Sequence, residues 1–246
     1  RLFGNTHTNN IKFGTKEENG VGKFNDISVK ALEGIKELGI THIWYTGVLE
    51  HAIIADYSEY GIEIDDADVV KGRAGSPYAI KDYYDVNPDL AEIVPDRLME
   101  FKQLVSRTHE AGMKVVIDFI PNHVARKYIS DAKPEGIEDI GANDDQSQAF
   151  SAQNNFYYIL GKSFKVPADY EPIPGHKFIT KDGKFDETPA KVTGNDKFDA
   201  SPSQYDWFET VKLNYGVDIE NGRTRHFEPI PDTWLKMKDV LSYWAS

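Results

Sequence analysis

The stretch from Lys114 to Val124, which reads K-V-V-I-D-F-I-P-N-H-V, limits what this chain can fold into more than any other. Val115, Val116 and Ile117 form an apolar, β-branched run without polar alternation. Such a run predicts a strand buried on both faces, as in a parallel sheet covered by helices. Gly112 closes the helix before it, and Pro121 ends extended pairing after it. Asp118, Asn122 and His123 then fall at the strand's carboxyl end and in the following loop, where α/β folds place their ligands.

The flanking chain repeats a helix–glycine–strand rhythm. Residues 27–38 are predicted helical, capped by Asn25 or Asp26, with Ala31, Ile35 and Leu38 on one apolar face and Gly39 as the stop. Residues 40–46 read as a strand. Residues 95–111 repeat the helix, with Leu98, Phe101, Leu104 and Val105 on one stripe, and the strand at 114–119 follows. Between the two units, residues 47–94 read as a long structureless connection, a feature that is uncommon and usually functional. From Val124 to Glu228 the rhythm is lost and aromatics accumulate. Lys177 to Phe185 reads as a hairpin turning at Asp182 and Gly183. Helical periodicity returns after Pro231, with Trp234, Met237, Leu241 and Trp244 at spacings of three and four.

Composition narrows the partners. The 246 residues carry 28 basic against 40 acidic side chains, a net charge of −12, which argues against a nucleic-acid backbone as ligand. A neutral sugar is compatible with that charge. No run reaches the eighteen or so apolar residues of a membrane span. The absence of cysteine excludes thiol chemistry and disulfides. The chain opens on Arg1 without a start methionine and stops at Ser246 directly after a helical pattern. It is therefore read as a segment of something longer. Its compartment is left open, secreted and periplasmic addresses included.

Residues 118–123, D-F-I-P-N-H, resemble the D-x-x-x-N-H signature of the α-amylase family of glycoside hydrolases, at the end of that family's third barrel strand. Leu2 to Asn5 resembles the residues after its first strand, and Gly39 to Trp44 the entry to its second. Tyr78 to Tyr84 resembles the motif that supplies an aromatic platform beneath the sugar. The resemblance implies an α/β fold, a partial (β/α)8 TIM barrel with an inserted B domain after the third strand. Residues 1–123 would be the first part of the barrel, 124–228 the B domain, and 229–246 the return to the barrel.

The resemblance also implies roles. Tyr78 would pack against the C–H face of a pyranose. His123 would donate to a hydroxyl of the same sugar, and Asp118 would support them by pairing with an arginine from a later strand. The family's nucleophile and general acid/base come from strands beyond this segment, so no catalytic carboxylate is assigned and the segment alone is expected to be inactive. The paired acids Asp65-Asp66 and Asp144-Asp145 are read as solvated surface. Asn122 matches a position that ligates structural calcium in many members. Lys212, however, stands where a ligating aspartate would be, and the acidic metal loop near the first helix is replaced by residues 17–23. No calcium and no other cofactor is expected.

The expected function is therefore retaining hydrolysis of α-glucosidic bonds in starch-like glucans or maltooligosaccharides. Its partners would be the oligo- or polysaccharide substrate and the remaining barrel strands. The alternatives are a glucanotransferase of the same family, a non-catalytic carbohydrate-binding relative, and an unrelated α/β domain with a coincidental motif.

Overall fold

The computed structural model describes residues 6–8, 10, 11, 14, 16–173, 177 and 180–246. Leu2 to Asn5 therefore lies outside the described residues. In chain order the elements are α1 (Lys16–Asn19), α2 (Val29–Glu37), β1 (His42–Tyr45), β2 (Leu49–His51), β3 (Ile80–Val86), α3 (Arg97–Glu110), β4 (Lys114–Ile117), β5 (His123–Ala125), β6 (Tyr158–Ile159), β7 (Ala190–Lys191), β8 (Thr210–Lys212), β9 (Val217–Asp218), β10 (Thr224–Arg225) and α4 (Asp232–Ala245).

β1 and β4 pair in parallel, with Ile43 beside Val115 and Tyr45 beside Ile117. α3 makes the crossover between them. It is tied to β1 by Tyr45, whose hydroxyl lies 2.8 Å from Oγ1 of Thr108. One face of the pair, formed by Ile43, Tyr45, Val115 and Ile117, packs with Leu32, Phe101 and Leu104. The other face is open: Trp44 is 65% exposed and Val116 45%. The expectation of burial on both faces is thus corrected. Among the described residues each strand has a single neighbour, and helices cover only one side.

Two helix details also differ from expectation. Ser28, not Asn25 or Asp26, caps α2, accepting from the Ala31 N–H at 3.3 Å. Asn25 and Asp26 instead belong to a preceding 3-10 turn, in which Asp26 accepts from the Lys23 N–H at 2.7 Å. Leu38 falls past the last helical turn and is exposed, so Leu32 carries the buried contact. In α4 the buried positions are Thr233, Met237 and Val240, while Trp234 and Leu241 face outward. Trp244 anchors the helix by donating its indole N–H to the Tyr83 carbonyl at 2.6 Å.

Residues 47–94 are not structureless. β2 and β3 form an antiparallel pair interrupted by register shifts, and every residue of β3 is buried. β3 contributes Ile80, Tyr83 and Tyr84 to a core shared with Leu49, Val124, Phe156, Val211 and Met237. Residues 124–228 contain no α-helix among the described residues, only the short antiparallel pairs β5–β8, β6–β7 and β9–β10. The hairpin expected at 177–185 shows no strand among its described residues. The Asp-Gly turn is used otherwise: the N–H groups of Asp182 and Gly183 donate to the buried Asp68 carboxylate at 2.8 and 2.9 Å. No helix among the described residues is long and apolar enough to cross a membrane.

Candidate functional site

The parallel β1–β4 pair fixes which loops meet. Asp118, one residue beyond β4, accepts from the Trp44 indole at 2.6 Å and from the Gly47 N–H at 3.3 Å. It therefore fastens the carboxyl ends of the two strands to each other. The loop after β4 is held by two phenols: Tyr83 donates to the Ile120 carbonyl and Tyr215 to the Pro121 carbonyl, each at 2.5 Å. Asn122 and His123 follow directly, with His123 opening β5.

Tyr78 reaches the same place from the loop before β3. A turn closes there through the Ala79 N–H to the Ser76 carbonyl at 2.9 Å, and Ala79 in turn accepts from the Ala52 N–H at 3.0 Å. The Tyr78 ring is half exposed, while its backbone lies beside the His123 imidazole, close enough to favour its protonated form. The two loops converge on one wall.

His123 is 7% exposed. Its Nδ1 lies 2.8 Å from Nδ2 of Asn122, which has only donors to offer, so the ring proton sits on Nε2. Burial, then the neighbouring Lys212 ammonium, pushes the His123 pKa down to about 4, against the opposing influence of the Tyr78 backbone. The imidazole is neutral at physiological pH, and its ring centre lies 5.1 Å from that of Trp207. Gly194 closes the back of the wall. A Cβ there would meet Oγ1 of Thr210 at 2.3 Å and Cβ of His123 at 3.0 Å, so only glycine fits.

Trp207 and Gly194 were not singled out from the sequence. Both come from the segment between β5 and β9, far from His123 along the chain. Only the abundance of aromatics in that segment hinted at them.

Asn122 has every polar group of its amide engaged. Nδ2 donates to the Gly194 carbonyl at 2.9 Å and to His123, while Oδ1 accepts from Nζ of Lys212 at 2.6 Å. Lys212 also pairs with Asp196 at 2.9 Å. These residues do not fit a cation at Asn122: its amide has a single oxygen, and the Lys212 ammonium already occupies it.

The acids read as solvated surface divide. Asp145 is exposed, but Asp65 is buried, accepting from the Ile53 N–H at 2.9 Å and pairing with Lys81 at 3.3 Å. Asp144 is half-buried and accepts from Asn155 N–H, Phe156 N–H and the Tyr158 hydroxyl at 2.7, 3.0 and 2.9 Å. Asp65 and Asp144 thus serve as acceptors for backbone N–H groups of neighbouring loops.

A family model described as "Alpha amylase, catalytic domain" matches residues 7–187. Maltase A1 of Drosophila melanogaster is 22% identical over 111 residues, covering 45% of this chain and 15% of the maltase. Trehalose-6-phosphate hydrolase of Bacillus subtilis is 26% identical over 110 residues, again covering 45% of this chain and 15% of the relative. The chain thus spans about 15% of the length of these curated relatives. Among solved structures, an α-amylase from Lactobacillus plantarum aligns over 91% of this chain and 32% of its own, at 22% identity and a TM-score of 0.47.

Proposed function

Because the chain belongs to the α-amylase family, whose catalytic domain is a (β/α)8 barrel, we propose that it forms part of the substrate wall of a retaining glycoside hydrolase acting on α-glucosidic bonds of starch-like glucans or maltooligosaccharides. The observation that carries this reading is the meeting of Tyr78 and His123 above the carboxyl ends of two parallel strands.

Each side chain has a defined task. The half-exposed Tyr78 ring offers a flat apolar face to the C–H groups of a glucose unit, with few degrees of freedom to lose. Neutral His123 offers its Nε2–H to a sugar hydroxyl, a contact that strengthens as charge develops at the anomeric carbon. Keeping this imidazole uncharged matters, since a cation beside an oxocarbenium-like transition state would oppose it. Asp118 positions the two loops through Trp44 and Gly47 rather than touching substrate. Residues 124–228 act as the family's B domain, with Trp207 facing His123. Asn122 holds His123 and Gly194 in place of calcium.

The chemistry of the family places a nucleophilic carboxylate and a carboxylic acid about 5 Å apart in retaining enzymes. No residue of this chain is assigned to either task.

The test is product analysis of the full protein on maltooligosaccharides. Shorter sugars released first as the α-anomer support retaining hydrolysis. Products longer than the substrate would assign transfer instead, and binding without turnover would assign a non-catalytic relative.

A further inference from the structure

Four carboxylates apart from the Tyr78–His123 wall bring ligand oxygens within 4.8 Å of one another: Glu50 of β2, Asp82 and Asp85 of β3, and Asp131 beyond β5. Glu50, Asp82 and Asp85 are 1%, 0% and 0% exposed. Most of their oxygens have donors. Asp82 accepts from the N–H groups of Tyr84 and Ala132 at 2.7 and 3.1 Å. Asp85 accepts from the Val86 N–H at 2.7 Å and from Nε of Arg97 at 2.6 Å, and Arg97 also reaches Asp131 at 3.0 Å.

Glu50 is the exception. Its Oε1 lies 3.7 Å from Nζ of Lys81, too far for a hydrogen bond, and its Oε2 is buried with no hydrogen-bond partner among the described residues. A buried carboxylate oxygen without a donor loses its hydration for nothing in return. The charge does not balance either. With Asp65, which shares Lys81, five carboxylates surround the two cations Lys81 and Arg97.

We propose that Glu50, Asp82, Asp85 and Asp131 bind a calcium ion, at a place separate from Asn122 and Lys212. An all-oxygen, carboxylate-rich donor set selects a hard cation. A cage of four protein carboxylates suits calcium, which takes many protein oxygens in flexible geometry, better than magnesium, which keeps several of its waters. The ion would supply Glu50 Oε2 with its missing partner and neutralise two of the excess charges. It would also cross-link β2, β3 and the segment after β5. That brace fixes the strand that Tyr78 precedes.

The test is calorimetric titration of the chelator-treated protein with calcium chloride and with magnesium chloride at pH 7.5, alongside thermal unfolding in calcium or EGTA. One calcium per chain, a higher Tm with calcium, and weaker magnesium binding are expected. Glu50→Gln, which keeps shape and removes charge, should weaken calcium binding by about tenfold or more. Asp131→Asn, at the partly exposed edge of the cluster, gives the same readout should Glu50→Gln not fold. No calcium binding by the parent protein would overturn the proposal. So would binding that survives both substitutions, or that is lost with Asn122→Ala and retained with Glu50→Gln.

Discussion

The Lys212 ammonium stands 2.6 Å from Oδ1 of Asn122 and 2.9 Å from Oδ1 of Asp196, a cation of the chain's own lodged between two oxygens. Reversing its charge should turn this knot into a metal site. Lys212→Asp places a third oxygen donor there and removes the repulsion. Calorimetry with calcium should show the number of ions bound per chain rise by one over the parent protein. An unchanged stoichiometry would mean that something other than Lys212 excludes the ion.

His123 makes a prediction about pH. Its folded pKa is about 4, below the ordinary histidine value near 6.5. Between those values the unfolded chain binds more protons, so this group lowers stability as pH falls from about 6.5 to 4 and leaves it untouched above that window. NMR titration should show the His123 ring still neutral at pH 5.5, and urea midpoints should decline through the same interval. A ring that titrates near 6.5 would contradict the burial that the wall depends on.

A buried ion pair anchors the segment behind that wall. Arg126 is 1% exposed, and its guanidinium meets Glu187 at 2.5 Å, the Phe208 carbonyl at 2.5 Å and the face of Phe164 at 3.9 Å. Glu187→Ala removes the one carboxylate recorded in contact with that guanidinium and leaves only the more distant pull of Glu209, which should cost roughly 3 kcal/mol in urea unfolding. A loss below about 1 kcal/mol would place the pair in the class of exposed ion pairs.

Gly194 tests the tightness of the site. Gly194→Ala puts a methyl group into contact with Thr210 and His123, and overpacking of this kind costs about 1–3 kcal/mol. The variant should also shift the His123 ring resonances. A stable protein with unmoved His123 signals would mean that the Gly194 backbone does not approach the Thr210 and His123 side chains this closely.

The parts of the fold legible in the sequence share one physical signature. An amphipathic stripe ended by a glycine at positive φ, Gly39 or Gly112, precedes each strand of the parallel pair. That signal is local, so it survives reading one residue after another. The β2–β3 pair was hidden because its bulges break the alternation of period two, and because Lys81, Asp82 and Asp85 make a fully buried strand look like a loop. Leu38, Trp234 and Leu241 misled in the other direction, since apolar spacing does not say whether a neighbour is present to cover it. In the site, Tyr78, His123 and Asn122 announced themselves through short motifs. Trp207 and Gly194 did not, because their partners are set by tertiary packing alone. The same holds for Glu50, whose missing hydrogen bond exists only in three dimensions.

The account rests on Tyr78 and His123 forming one sugar-binding wall, and a crystal structure of the full protein soaked with a maltooligosaccharide tests this most directly. A glucose ring is expected flat against the Tyr78 side chain, with one hydroxyl within hydrogen-bonding distance of Nε2 of His123. Tyr78→Ala should weaken binding of that sugar by about 1 kcal/mol, an aromatic contact's worth, without unfolding the protein. A glucan bound elsewhere, with Tyr78 and His123 untouched and binding unaltered by Tyr78→Ala, would contradict the account.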